Sequence, residues 1–219
     1  MGLKIHVISF TFPPQSGIGG RRWAKFTKYF SKMGTHVEVF TTPVFTEGSP
    51  WMADVPSSVR IHRIKSGFPD VVRFGPKSIL DKILYRFQVQ RFRSRTQGNY
   101  YDHSTFWNKN LLPALERSLN DVDILIATAG PFSYLHDLLK LKESHPNLKL
   151  VADFRDPWTN NKTAFGYDTL DLKRFQFEKQ KERKVVQGFD LIVSVATPMT
   201  EYFKLLETKD QTEKFVTLP

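Results

Sequence analysis

The sequence contains no cysteine and no long hydrophobic run. Without cysteine in its 219 residues, the chain has no disulfide framework and no cysteine-based metal site or nucleophile. That absence fits a reducing compartment. The start of the chain lacks the apolar core of a signal peptide, and no segment reaches the roughly 18 apolar residues that span a bilayer. We therefore expect a cytoplasmic protein, either free or peripheral on the inner face of the cell membrane.

Acidic residues are the scarcer charge. The chain has 22 Asp and Glu against 32 Lys and Arg, which gives a net charge of +10. This surplus favours anionic partners, among which are nucleic acids, lipid headgroups and phosphorylated small molecules. No recognised nucleic-acid-binding motif accompanies the charge, so we expect no nucleic-acid partner. The length and the 40% hydrophobic content indicate a globular protein with one large domain, or at most two small ones.

Strand and helix patterns alternate along the chain. Apolar alternation or continuous apolar runs predict a strand beginning at residue 5 and further strands at 36–42, 59–64, 123–128, 148–153, 189–196 and 214–219. Helical spacing predicts helices at 21–33, 77–95, 106–119, 133–144, 168–187 and 198–206. Such alternation predicts an α/β fold: a doubly wound, mostly parallel Rossmann-like sheet with helices on both faces. His62 lies on the polar side of its strand and is expected to be a solvated histidine.

The loop between the first strand and the first helix has three glycines in four positions, Gly17, Gly19 and Gly20. A strand, a glycine loop and a helix N-terminus in this order direct backbone N–H groups and the helix dipole at an anion, most often a phosphate. Glycine is expected there because such a loop takes positive φ and lets a ligand approach the backbone. The spacing matches neither the dinucleotide fingerprint nor the P-loop. An ordinary tight β-to-α turn is therefore the alternative.

Polar and small residues follow two buried strands, where open α/β sheets bind ligands. Arg155 and Asp156 follow the strand at 148–153 and precede a Pro-Trp pair that ends it. The alternative for this pair is an ion pair that only ties down the loop. Gly130 and Pro131 follow the strand at 123–128 in a loop of small residues.

The predicted helix at 77–95 is basic. It carries apolar residues at helical spacing, and Lys82, Arg86 and Arg93 lie roughly on another face. This pattern is typical of an interfacial helix on an anionic membrane surface. Most amphipathic helices instead pack on their own domain, so we expect a packed surface helix with a solvated charged side.

Several stretches, in this order, resemble the N-terminal domain of the family 4 (group 1) glycosyltransferases, which have the GT-B fold. The first is residues 12–22, with a Pro-Pro pair and the glycine loop, followed by a helix and a His-x-Val-x-Val strand at 36–40. The second, at 152–159, is similar to an Arg-Asp-x-Trp loop. The third runs from Glu182 to Ser194, and the fourth is the Val-Thr-Leu-Pro at 216–219. The likeness spans essentially the whole chain.

The resemblance implies two Rossmann-like domains with the reaction in the cleft between them. Residues 1–219 would form the single acceptor-side domain, the N-terminal half of a GT-B enzyme, and the C-terminal nucleotide-sugar-binding domain would be absent from this chain. The full-length protein would be a retaining glycosyltransferase acting on a saccharide or lipid-linked acceptor in bacterial cell-envelope polysaccharide synthesis. The nucleotide-sugar would be its co-substrate, with no metal or other cofactor, and this fragment alone would be inactive. The alternative is a self-contained, non-catalytic phosphate- or nucleotide-binding module.

The resemblance also assigns roles to residues. Many relatives carry a histidine in the loop after the fourth strand, where this chain has Ala-Thr-Ala-Gly at 127–130. That departure moves the expected catalytic, acceptor-orienting role to Asp156 and Arg155. The residues expected to contact the donor phosphates are Gly17, Ile18, Gly19 and Gly20. Contact with the acceptor or with phosphate falls to Ser16, Arg21, Arg22, Gly130 and Pro131.

Overall fold

The computed structural model describes residues 2–16, 18–161 and 166–219. In these residues seven strands form one sheet, in the order β3-β2-β1-β4-β5-β6-β7, and every neighbouring pair is parallel. The strands are β1 (Lys4–Ile8), β2 (His36–Thr41), β3 (Arg60–Arg63), β4 (Ile124–Ala129), β5 (Lys149–Phe154), β6 (Leu191–Ser194) and β7 (Phe215–Thr217).

Helices flank the sheet. They are α1 (Arg21–Lys32), α2 (Asp70–Phe74), α3 (Ile79–Arg95), α4 (Asn108–Glu116), α5 (Ser133–Leu138), α6 (Leu141–Ser144), α7 (Leu172–Gly188) and α8 (Thr197–Lys204). Strands alternating with helices in one parallel sheet confirm the predicted Rossmann-like α/β fold.

Two hydrophobic clusters lie on the two sides of the sheet. Successive side chains of a strand point to opposite faces, so Val7 belongs to one cluster and Ile8 to the other. Trp23 of α1 packs in the cluster that contains Val7. The larger cluster holds side chains of α4, α5, α7 and α8. Burial on both faces explains why the central strands read as continuous apolar runs.

The order of the strands reverses between β1 and β4. From β1 the chain moves outward to β2 and β3, and from β4 it moves the other way to β5, β6 and β7. In open α/β sheets the crevice beyond the carboxyl ends of the strands at such a reversal is the usual ligand site. The glycine loop after β1 and the Gly-Pro loop after β4 therefore border this crevice.

Three local expectations need correction. The glycine- and proline-containing stretch 65–76, for which the sequence predicts a break with no helix or strand, contains the short helix α2, which is capped by Gly75 with φ of 78°. The helix predicted at 133–144 is divided into α5 and α6. His62 is only partly solvated, with 30% of its side chain exposed. Its Nε2 lies 2.6 Å from Glu38 Oε2 and its ring stacks on Phe40, because the parallel register places β3 beside the buried carboxyl group of β2.

The expectation that α3 packs with only its charged side exposed is also wrong. Its first three turns expose their large apolar side chains to solvent, since the side that faces the domain is the one with Tyr85, Gln88 and Phe92. Within the described ranges, no helix combines the length and the apolar character needed to cross a bilayer.

Candidate functional site

The glycine loop enters α1 through a 3-10 turn over Ile18–Gly20. Gly20 has φ of −86°, which is helical, and Gly19 is not among the residues with positive φ. The expected positive φ is therefore wrong for these two positions. Gly17 lies outside the described residues.

Close packing is what requires glycine at position 20. A Cβ there would lie 2.9 Å from Pro13 Cδ and 3.1 Å from Phe12 Cα. At Gly19 a Cβ would meet only ordinary contacts, 3.5 Å to Thr11 Cβ and 3.7 Å to Arg155 Nη1. Gly20 therefore lets the helix start against the Pro-Pro segment, whereas a methyl group at Gly19 would fit in ordinary contact with Thr11 and Arg155.

The outer part of the loop is fixed to the segment after β2. The amide of Ser16 donates to the carbonyl of Thr46 at 2.7 Å, and the two hydroxyl oxygens lie 2.6 Å apart. The amide of Ser49 donates to the carbonyl of Pro14 at 3.2 Å. The hydroxyl of Ser16, predicted to bind acceptor or phosphate, is thus already engaged with Thr46.

The structure brings Arg155 and Gly19 together, although 136 residues separate them. Arg155 immediately follows β5, and its Nη1 donates to the carbonyl of Gly19 at 2.9 Å. Its Nε is buried without a hydrogen-bond partner among the described residues. Its other terminal nitrogen, Nη2, is accessible to solvent and makes no hydrogen bond to the described chain. One face of the guanidinium therefore fixes the loop, and the other is open to an anion.

The loop that carries Asp156 is held from behind by α7. Trp158 Nε1 donates to Glu178 Oε2 at 3.0 Å, and the hydroxyl of Thr159 donates to Glu182. The half-buried carboxyl group of Asp156 has no hydrogen bond or ion pair within the described part of the chain. An ion pair between Asp156 and Arg155, the structural alternative, is not formed. The loop is rigidly placed and its carboxylate is free.

Glu182 is a buried acid. Burial raises the pKa of Glu182, and hydrogen bonds from Thr159 and Tyr202 counteract part of the rise. The hydroxyl of Tyr202 donates to Glu182 Oε2 at 3.0 Å, and burial together with this carboxyl group raises the pKa of Tyr202 to about 12. This cluster supports the Asp156 loop from inside the domain.

The two arginines at the start of α1 differ in their availability. Arg22 Nε lies 3.3 Å from Asp153 Oδ2, and Arg22 Nη2 donates to the carbonyl of Leu218 at 3.0 Å. Burial raises the pKa of Asp153, which Arg22 and a hydrogen bond from Trp23 oppose. The guanidinium of Arg21 lies 4.6 Å above the ring of Trp51, and Arg21 is exposed to solvent. Arg21 is therefore the one of the pair with access to an external anion.

The loop after β4 is already occupied on its inner side. Gly130 has φ of 88°, a left-handed conformation that favours glycine. Asp102 Oδ2 accepts from the amides of Phe132 at 2.8 Å and Ser133 at 3.0 Å, at the start of α5. Its other oxygen accepts from the amide and hydroxyl of Ser104. The amide groups beyond Gly130 and Pro131 thus bind the chain's own carboxylate.

Arg73 on α2 is a residue that the sequence reasoning missed. Its Nη2 donates to Ser66 Oγ at 2.6 Å, and its guanidinium lies 4.0 Å above the ring of Phe45 and 5.6 Å from that of Phe10. Burial lowers the pKa of Arg73. The side chain joins the loops that follow β1, β2 and β3. No sequence signal marked it, because it lies in a stretch interpreted as a break.

An open cavity of about 500 Å³ is bordered by Val72 of α2, the residue before Arg73 in the chain. His103 lines it, and burial, then the charge of Arg73, lowers the pKa of this histidine. The other lining residues are Phe68, Val72, Tyr100, Tyr101, Gly166 and Thr169. The membrane-surface candidates Lys82, Arg86 and Arg93 belong to α3 and take no part in the crevice contacts described above. No cluster of three or more metal-ligating side chains occurs among residues 2–16, 18–161 and 166–219.

No protein-family model matches the chain, and no curated protein matches it. Among solved structures, the catalytic domain of starch synthase IV from Arabidopsis thaliana bound to ADP and acarbose is similar over 100% of this chain and 52% of its own, with a TM-score of 0.55 and 10% identity. The N-terminal domain of trehalose-6-phosphate phosphatase from Candida albicans is similar over 94% of this chain and 42% of its own, with a TM-score of 0.53 and 12% identity. A UDP-glucose: anthocyanidin 3-O-glucosyltransferase in complex with UDP is similar over 94% of this chain and 51% of its own, with a TM-score of 0.51 and 12% identity.

These similarities show the fold. The starch synthase and the glucosyltransferase are GT-B glycosyltransferases, and the chain spans about half the length of each. The protein therefore has a Rossmann-type α/β fold, which it shares with one half of these enzymes.

Proposed function

We propose that residues 1–219 are the acceptor-side domain of a retaining, metal-independent glycosyltransferase. The full protein transfers a sugar from a nucleotide-sugar to a saccharide or lipid-linked acceptor in bacterial cell-envelope polysaccharide synthesis. The observation that carries this proposal is the contact between Arg155 and Gly19. It places an open guanidinium face beside a helix-starting glycine loop at the reversal of the strand order, where a phosphate group would bind. The fold similarity to two-domain glycosyltransferases at half their length supports the same conclusion.

The donor's diphosphate approaches the open side of the glycine loop. Backbone amides at the start of a helix attract anions because their N–H groups are unpaired and the helix dipole is positive there. Gly19 leaves room for this approach, and Arg155 Nη2 and the exposed Arg21 add positive charge. Arg22 forms an ion pair with Asp153, so its charge acts on phosphate only indirectly.

Asp156 orients the acceptor. Its carboxylate is half-buried, unpaired within the described chain and fixed by the anchored Trp158–Thr159 segment. A free carboxylate of this kind accepts a hydrogen bond from an acceptor hydroxyl and holds it near the donor. Arg155 directly precedes Asp156 and donates to the carbonyl of Gly19. It therefore fixes the distance between Asp156, on the acceptor side, and the glycine loop, on the phosphate side.

The direct test compares residues 1–219 with the longest reading frame that contains them. We expect the frame to continue past Pro219 into a second Rossmann-like domain, and the longer protein to transfer or hydrolyse one member of a nucleotide-sugar panel. Residues 1–219 alone should show little transfer, because most of the nucleotide site belongs to the second domain. Robust transfer by residues 1–219 would contradict the half-site assignment.

The competing function is a self-contained phosphate- or nucleotide-binding module. The open face of Arg155 beside the glycine loop is compatible with it. A reading frame that ends at Pro219, together with calorimetric binding of UDP, ADP or inorganic phosphate by this chain, would favour the module over the enzyme half.

A further inference from the structure

The first three turns of α3 present large apolar side chains to solvent. Ile79 is 78% exposed, Leu80 77%, Ile83 64%, Leu84 45% and Phe87 62%. At 100° per residue, these five positions fall on one arc of about 140°. Contiguous apolar surface of this kind on a soluble domain marks an interaction site.

The opposite side of α3 holds the helix on the domain. Phe92 is buried, with its ring centroid 5.3 Å from that of Phe68 and 4.9 Å from that of Phe106. Near the C-terminal end of the helix, Arg174 of α7 donates to the carbonyl groups of Arg93 and Thr96. The helix is therefore anchored by its C-terminal half, and its apolar arc points away from the protein. A packed surface helix has the reverse arrangement.

Positive charge borders the apolar arc. Lys82, Arg86 and Arg93 project along one edge of it at helical positions 4 and 7 residues apart. Residues 77–95 contain six basic side chains and a single acidic one, Asp81. That carboxyl group accepts from the amide of Lys77 at 3.1 Å, and the amide of Asp81 donates to Ser78 Oγ at 3.0 Å. Asp81, the only acidic residue in 77–95, is thus engaged at the N-terminus of α3.

We propose that α3 is an interfacial helix that docks the domain on an anionic lipid bilayer. The apolar arc enters the boundary between headgroups and acyl chains, and the basic edge contacts lipid phosphates, with the long aliphatic stems of Lys and Arg lying along the apolar surface. Charge selects this occupant over a second copy of the chain. Two copies of α3 face to face would bring two strongly basic helices together, whereas an anionic bilayer neutralises them.

The experiment measures sedimentation of the 219-residue protein with phosphatidylcholine vesicles, with and without about one third phosphatidylserine. Lys82→Glu/Arg86→Glu/Arg93→Glu tests the charge. Its matched control is Arg183→Glu/Lys184→Glu/Lys209→Glu, which changes three exposed basic residues elsewhere by the same total charge. Ile83→Ser/Phe87→Ser tests the apolar arc. Its matched control is Met33→Ser/Leu205→Ser, which alters two still more exposed apolar side chains directly after α1 and α8.

We expect binding to the phosphatidylserine vesicles and little binding to pure phosphatidylcholine. The triple α3 variant should lose roughly a hundredfold in partitioning, since each Lys or Arg contributes about fivefold near an anionic surface. The double Ser variant should lose at least about tenfold, and both controls should bind like the wild type. Thermal melts of all variants should coincide because the altered side chains are exposed.

Three results would overturn the proposal. One is no binding to phosphatidylserine vesicles, and another is equal binding by the α3 variants and their controls. The third is a concentration-dependent dimer in analytical ultracentrifugation that the α3 variants dissociate while vesicle binding is absent. That last result would assign the apolar arc to contact between copies of the chain.

Discussion

Substituting alanine separately at Gly19 and Gly20 distinguishes a glycine kept for packing from one kept open for a ligand. At Gly20 the new Cβ would lie 2.9 Å from Pro13 Cδ, 3.1 Å from Phe12 Cα and 3.2 Å from the carbonyl oxygen of Thr11. Two of these neighbours are backbone atoms, which cannot rotate away. Overpacking of this kind costs about 1–3 kcal/mol.

The same substitution at Gly19 should instead raise the free energy of unfolding. The Cβ would meet contacts of 3.5–3.7 Å, ordinary van der Waals distances, and φ at this position is not positive. Replacing a helix-compatible glycine by alanine then stabilises the fold by about 0.4–1 kcal/mol, because the unfolded chain loses freedom. The two variants should therefore differ by about 2 kcal/mol in the free energy of unfolding. For a chain of this size, that is a difference of roughly 4–8 °C in Tm.

Urea unfolding followed by circular dichroism, with thermal melts as a second measurement, compares Gly19→Ala, Gly20→Ala and the wild type. A Gly20→Ala variant as stable as the wild type, or equal destabilisation of both variants, would contradict the packing role of Gly20. If Gly19→Ala is at least as stable as the wild type, a larger side chain at this position tests ligand approach, with its own thermal melt as the control for folding. In the longer reading frame, Gly19→Val should lower turnover at least about tenfold, and unchanged kinetics would contradict the phosphate assignment of the loop.

Three further predictions concern single side chains. Asp156→Asn in the longer reading frame should lower kcat at least about tenfold with unchanged stability, while Asp210→Asn, an exposed control, should leave kcat unaltered; equal rates for the two would remove Asp156 from the site. Glu182→Gln should gain stability relative to the wild type as pH rises above the usual carboxyl range, because ionising a buried acid with a raised pKa costs the folded state more than the unfolded state; a pH-independent difference in urea unfolding would contradict this. Burial lowers the pKa of His6 from 6.5 to about 4, so the folded state should lose about 3 kcal/mol as pH falls from 6.5 to 4. His6→Leu should remove most of that loss in urea unfolding, and a His6→Leu curve parallel to the wild type would show that other groups cause it.

The sequence predicted the sheet well because buried parallel strands have a distinctive composition. Continuous apolar runs such as the one in β4 leave few alternatives, and the helices between them require parallel pairing. The bounds of helices were harder to predict where the helix is short. A five-residue helix such as α2, with Gly75 directly after it, is too short for a helical period to be visible.

The candidate site was predictable in part. The glycine loop and the Arg155–Asp156 loop were recognised because each follows a strand, and parallel strands bring such loops to one edge. Their direct contact was not predictable, since no local pattern pairs residues so distant in the chain. The engagement of Arg22 with Asp153 was missed for the same reason. For α3 the helical period revealed an amphipathic helix, but the period alone does not say which side faces the domain.

Asp102 has a consequence for how any ligand lies in the crevice. Two helix starts flank the reversal of the strand order, and the one on the β4 side already holds this buried carboxyl group on the amides of Phe132 and Ser133. Under the proposed function, a ligand with several negative charges would meet this carboxylate on the β4 side and Arg155 and Arg21 on the α1 side. The two loops would then orient a long anionic donor, with its charged end toward α1, in addition to binding it.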